Sequence, residues 1–141
     1  MPGSDIRFRL IAALLGQQHA HKELHQRLTG DDLCAMLAEL VNSSPGLQCV
    51  ARITAQRDLV AAIAASQPDV LLLDLLFGGV SSLPLVPQLR AANTKTRIVI
   101  HSGFDIDPLA TRALDGGAVA VIPKGGDPDE LIAAIRRIAR D

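Results

Sequence analysis

The chain has 141 residues, one domain's worth at roughly 150 residues each, and its 14 Lys and Arg nearly balance its 15 Asp and Glu. A net charge of −1 and only three aromatic residues, Phe8, Phe77 and Phe104, exclude a general nucleic-acid surface, which needs a positive field for counterion release and a platform for base stacking. With 48% hydrophobic and 21% charged residues, the composition is that of a folded globular domain whose core is built from Ala, Leu, Ile and Val.

Ile6–Ala12 (IRFRLIA) reads as a first strand, and Gln17–Leu28 is polar and helix-permissive. Thr29-Gly30-Asp31 is a break with an N-cap before a helix over Asp32–Val41 (DLCAMLAELV). This first βα unit, about residues 5–42, is about a dozen residues longer than a βα unit requires. From Pro45 onward, short apolar runs alternate with helical patterns, the signature of a parallel sheet. Leu47–Ile53 (LQCVARI) is a strand, and Thr54 offers an N-cap for a helix over Ala55–Ser66 that Pro68 stops. Asp69–Asp74 (DVLLLD) is a near-continuous apolar run, as expected of a central strand covered on both faces. Gly78-Gly79 and Ser81-Ser82 predict a loop, and a helix follows over about Leu83–Ala92, with Pro84 and Pro87 in its first turn. Arg97–His101 (RIVIH) is the next strand, and Asp107-Pro108 opens a short helix that ends before Gly116-Gly117. Ala118–Ile122 (AVAVI) is the last strand. Asp127-Pro128-Asp129-Glu130 then opens a helix over Pro128–Arg140 with a capping-box pattern. The fold class is α/β: five βα units in a doubly wound, five-stranded parallel sheet, with residues 1–141 forming a single domain.

Cys34 and Cys49 match no zinc or disulfide spacing and predict two small buried hydrophobes in a reducing, cytoplasmic setting. No apolar run approaches the ~18 residues of a membrane span, and the run Leu10–Gly16 lacks the flanks of a signal peptide. His21 and His25 stand one helical turn apart, a spacing that suits a transition metal, but the polar stretch around them reads as a solvated helix face.

Such sheets carry their functional groups at the carboxyl ends of the strands. Asp74, Ser102 and Lys124 fall at three consecutive strand ends. Singly, each has an ordinary explanation: a loop cap, a turn residue before glycine and a solvated charge. Together they bring a carboxylate, a hydroxyl and an ammonium to one edge, a set suited to a carboxylate that accepts a phosphoryl group. Burial of Asp74 among Leu73, Leu75 and Phe77 predicts that Lys124 lies within salt-bridge reach of it.

The segments PDVLLLDL around Asp74, RIVIHSG around Ser102 and GGAVAVIPKGGDPDEL around Lys124 resemble the receiver domain of two-component response regulators over about Asp31–Asp141. Ser102 follows Asp74 by 28 residues and Lys124 follows Ser102 by 22, which makes the match specific. The DPDEL ending resembles the subfamily whose receiver precedes a helix-turn-helix domain. The resemblance implies a flavodoxin-like fold with strand order 2-1-3-4-5. It also implies a signalling role rather than an enzyme's: phosphoryl transfer to Asp74 from a histidine kinase or phosphotransfer protein, and a surface that then switches toward a downstream protein partner. Ser102 would follow the phosphoryl group, and Lys124 would pair with it. Mg²⁺ would be held by Asp74 and the backbone carbonyl of Leu76. The resemblance leaves no role for direct nucleic-acid or membrane binding by this chain. Ala133, Ala134 and Ile138 on the last helix would suit either a homodimer or the core.

The chain departs from the family's pattern at several positions. The acidic pair expected after the first strand falls on Ala12 and Ala13, and Asp31-Asp32 would replace it only if the chain returns to the same place; their other role is to cap the helix. Val121 stands where the family has an aromatic switch residue, Pro123 precedes Lys124 instead of following it, and Gly78-Gly79 replaces a Pro-Gly. These departures support a second reading, a degenerate receiver acting as a phosphorylation-independent interaction module. A flavodoxin-like cofactor binder is disfavoured, because no Gly-rich phosphate loop follows the first strand.

Overall fold

The computed structural model describes residues 8–13, 30–77, 80–102, 108–123 and 126–141. Five strands form one parallel sheet: β1 (Phe8–Ala13), β2 (Leu47–Ile53), β3 (Val70–Asp74), β6 (Arg97–Ser102) and β7 (Ala120–Pro123), in the order β2-β1-β3-β6-β7. Counting only these five, the order is 2-1-3-4-5, as expected. Two further strands, β4 (Leu76–Phe77) and β5 (Val80–Ser81), pair antiparallel outside the sheet. Helices α1 (Gly30–Asn42), α2 (Leu59–Ser66), α3 (Val86–Ala92), α4 (Pro108–Asp115) and α5 (Pro128–Arg140) complete the fold.

The pleat divides the core into two layers. Leu71, Leu73, Ile98 and Ile100 face Leu59 and Ile63 of α2, Leu89 of α3 and Ala113 of α4. Leu72 and Val99 face Val41 of α1 and Ile132 and Ile135 of α5. Strand β3 is therefore buried on both sides, which is why it reads as an unbroken apolar run. Ala12 belongs to the second layer and Ala13 to the first, both without solvent access.

The N-terminal edge of the sheet is held by Asp69. Its carboxylate accepts from the Arg9 backbone N–H at 2.8 Å, while its own N–H donates to the Arg9 carbonyl at 2.8 Å and its carbonyl accepts from Arg97 N–H at 2.9 Å. Arg9 also sends its guanidinium to the Ser66 carbonyl at the C-terminus of α2, where a cation opposes the helix dipole. Thr96 donates its hydroxyl to the Pro68 carbonyl at 2.7 Å and accepts from the Asn93 side chain.

Several local readings need correction. The helix expected over Ala55–Ser66 begins as a 3₁₀ turn, Gln56–Asp58, and α2 itself starts at Leu59 with no side-chain cap, so Thr54 is not its N-cap. The helix expected from Leu83 likewise opens as a 3₁₀ turn, Leu83–Leu85: Pro87 has no N–H to offer the Leu83 carbonyl, which accepts from Val86 N–H instead. Helix α1 starts at Gly30, which puts Asp31 and Asp32 inside its first turn rather than Asp31 in front of it. The loop expected around Gly78 is flanked by the paired strands β4 and β5. Cys49 is half-buried rather than buried, because β2 is an edge strand, and its N–H is taken by the Asn42 side chain at 2.8 Å; Cys34 lies outside the described side chains. On α5, Ile138 is buried in the core, Ala134 is half-buried and Ala133 exposed. Asp127 caps that helix as expected, accepting from Asp129 N–H at 2.9 Å.

Gly117 has φ +123°, and a Cβ there would lie 2.6 Å from Cδ of Arg90, whose guanidinium donates to the Gly117 carbonyl at 3.1 Å. Gly117→Ala should lower unfolding stability by about 1–3 kcal/mol. Gly126→Ala, whose Cβ meets only the Pro123 carbonyl at 3.9 Å, should be near neutral in the same urea titration. Asp69→Ala should cost about 1–3 kcal/mol, because it leaves the Arg9 N–H without its carboxylate partner.

Candidate functional site

The parallel sheet brings the carboxyl ends of β3, β6 and β7 together. Asp74 is the last residue of β3 and is 2% exposed; Ser102 is the last residue of β6 and has no solvent access. The register pairs Asp74 with His101, His101 with Ile122 and Ser102 with Pro123. Lys124 follows Pro123 directly in the chain but lies outside the described residues, and with it the expected ion pair to Asp74. The sheet thus brings together the ends that carry Asp74 and Ser102 and delivers the residue before Lys124 to the same edge.

The segment after Asp74 is tied back onto the strand end. Leu75 N–H donates to the His101 carbonyl at 3.0 Å, extending the β3–β6 pairing one step past the carboxylate. Ser82, buried without solvent access, donates its hydroxyl to the Asp74 carbonyl at 2.8 Å, and the Leu75 carbonyl lies 3.2 Å from the same oxygen. Ser82 N–H also reaches the Leu75 carbonyl at 2.9 Å. The small β4–β5 ribbon, with Leu76 opposite Ser81, is thereby closed at its base. The carbonyl of Leu76 belongs to this ribbon; its side chain lies outside the described residues.

Two residues of this site were not singled out from the sequence. Ser82 looks like an ordinary loop serine, and nothing local distinguishes it from Ser81. His101 carried a signal: it is a polar residue closing the apolar run Arg97–His101, and the structure buries it to 8% exposure beside Asp74.

Strand β1 flanks β3 on the side opposite β6, and its end is Ala12 and Ala13, paired with Leu72 and Leu73. Buried methyl groups therefore stand where the family's acidic pair is expected. Helix α1 runs back along the sheet, so its first turn, with Asp31 and Asp32, returns to the carboxyl edge; their side chains lie outside the described residues. Among the described residues, no group of three or more His, Cys, Asp and Glu could hold a metal ion. Mg²⁺ demands near-octahedral oxygen coordination, and the described donor set, one carboxylate with an adjacent carbonyl, does not fit it.

A family model for the response regulator receiver domain matches residues 30–136. The chain belongs to this family. The match begins at α1, so β1 and residues 14–29 fall outside it, although β1 is a central strand of the sheet. The receiver is 31% identical over 102 residues to the transcriptional regulatory protein UhpA of Escherichia coli, covering 72% of this chain and 50% of that protein. It is 30% identical over 104 residues to a nitrate/nitrite response regulator protein homolog of Haemophilus influenzae, covering 74% and 50%. The chain thus spans about half the length of these curated relatives. The fold matches the signal receiver domain of the putative response regulator NarL from Mycobacterium tuberculosis, with a TM-score of 0.75 at 20% identity over 96% of this chain and 98% of that one. Among the described residues, no helix is long and apolar enough to cross a membrane.

Ser82→Ala removes a buried hydroxyl donor and leaves two carbonyls to share what remains. It should lower stability by about 1–2 kcal/mol, and hydrogen exchange should rise at Leu75 and Ser82 amides before the rest of β3.

Proposed function

We propose that this receiver accepts a phosphoryl group on Asp74 from a histidine kinase or phosphotransfer protein and switches a surface read by a downstream protein, in a cytoplasmic setting. The observation that carries the reading is the buried Asp74 at the end of β3 with Ser102 at the adjoining end of β6. A carboxylate oxygen of Asp74 attacks phosphorus, the bond to the donor's leaving group breaks, and that group departs with the electron pair, leaving a mixed acyl phosphate. Ser102 supplies a hydroxyl donor to the new phosphoryl oxygens, and Lys124 a cation. Since Ser102 terminates a buried strand and Lys124 follows another, movement of either toward the phosphate would be transmitted to the α4 side of the domain. Output through a separate DNA-binding domain, as the relatives' name of transcriptional regulatory protein suggests for them, and pairing with a second copy of this chain belong to the same proposal.

A second reading is favoured by Ala12 and Ala13: a degenerate receiver whose partner surface is independent of phosphorylation. One experiment separates the two. Incubation with acetyl phosphate, with and without Mg²⁺, should add one phosphoryl group that hydroxylamine removes and Asp74→Asn abolishes, as read by intact mass. Absence of the adduct from folded protein under both conditions would favour the degenerate reading.

A further inference from the structure

On the face of the sheet covered by α1 and α5, Asp74 has a polar neighbour on the β6 side. Leu72 and Val99, two residues before Asp74 and His101 respectively, both belong to that layer of the core. Alternation along the strands therefore puts the side chains of Asp74 and His101 on the same face. The register pairs the two residues directly across strands that lie about 4.8 Å apart. The bond from Leu75 N–H to the His101 carbonyl, 3.0 Å, fixes that register at the site itself. Both side chains are buried, at 2% and 8% exposure. On the other flank, the described residues of β1 contribute Ala12 to the same face, two register steps earlier opposite Leu72, and among them there is no acid.

A carboxylate withdrawn from water needs donors or positive charge near it, and an acyl phosphate formed there needs them more. Receivers that carry an acidic pair can recruit a divalent cation for this purpose. Here the described residues of that flank, Ala12 and Ala13, are apolar, and the opposite flank offers an imidazole, a ring whose N–H can donate to an anion. We propose that His101 belongs to the acceptor pocket, donating a ring N–H to the Asp74 carboxylate or to the phosphoryl oxygens it carries, so that the site works without a divalent cation. This inference rests on the reading of Asp74 as phosphoacceptor and assigns a further residue to that site.

The test compares native protein with His101→Leu and His101→Gln, incubated with acetyl phosphate in EDTA and in Mg²⁺ and followed by intact mass, with folding checked by circular dichroism. Native protein should be phosphorylated equally well in both buffers. His101→Leu should fold but lose on the order of tenfold to a hundredfold in phosphorylation rate in EDTA, and His101→Gln, which keeps a donor, should recover part of it. A packing role alone would not produce recovery by glutamine over leucine. Strict dependence of the native protein on Mg²⁺, or equal rates for the native protein and His101→Leu in EDTA, would overturn the inference while leaving Asp74 as acceptor. No adduct on native protein in either buffer would instead overturn the acceptor reading, and the inference with it.

Discussion

A carboxylate with almost no access to water closes a strand whose other residues are all apolar and buried, and the surrounding polar groups are arranged around that constraint. Asp74 cannot be buried in isolation at a tolerable free energy. The end of the neighbouring strand provides His101 and Ser102, both buried. The following turn contributes Ser82, whose hydroxyl holds the strand's last carbonyl rather than the carboxylate. The backbone around Asp74 is thus bound down at the strand end.

The two edges of the sheet use the same residue type for opposite ends. At the amino edge, the carboxylate of Asp69 accepts from the Arg9 backbone while its own amide and carbonyl bond to β1 and β6, a structural arrangement with its main hydrogen-bonding capacity occupied. At the carboxyl edge, Asp74 is the last residue of its strand. The polarity of a parallel sheet explains the difference. One edge receives chains entering the strands and can be stapled, and the other releases them into loops that can carry a site.

The first βα unit is where this receiver departs from its family. Its strand is central and its alanines are packed into both layers of the core, so the departure is not a loosened edge but a change of chemistry within an intact sheet. The family match begins only at α1, so this strand lies outside it. On the β6 side, the buried imidazole of His101 stands opposite Asp74 in the register.

Much of the architecture was legible from local pattern: the unbroken run at Leu71–Leu73, the capped start of α5, and the alternation of strands and helices that sets a parallel sheet. Asp74 and Ser102 could be placed at strand ends because strand ends are marked by short-range signals of polarity and glycine. The starts of α2 and α3 were misjudged, since a 3₁₀ turn and an α-helix share the same apolar spacing over so few residues, and the difference lies in which carbonyl each N–H finds. Ser82 and the pairing of His101 with Asp74 were not legible at all. The chain by itself determined which residues are apolar, where segments break and what chemistry each side chain can offer. Only the tertiary structure decided the register between β3 and β6, and hence which polar residue shares a face with the buried carboxylate, because that depends on backbone hydrogen bonds between strands distant in sequence.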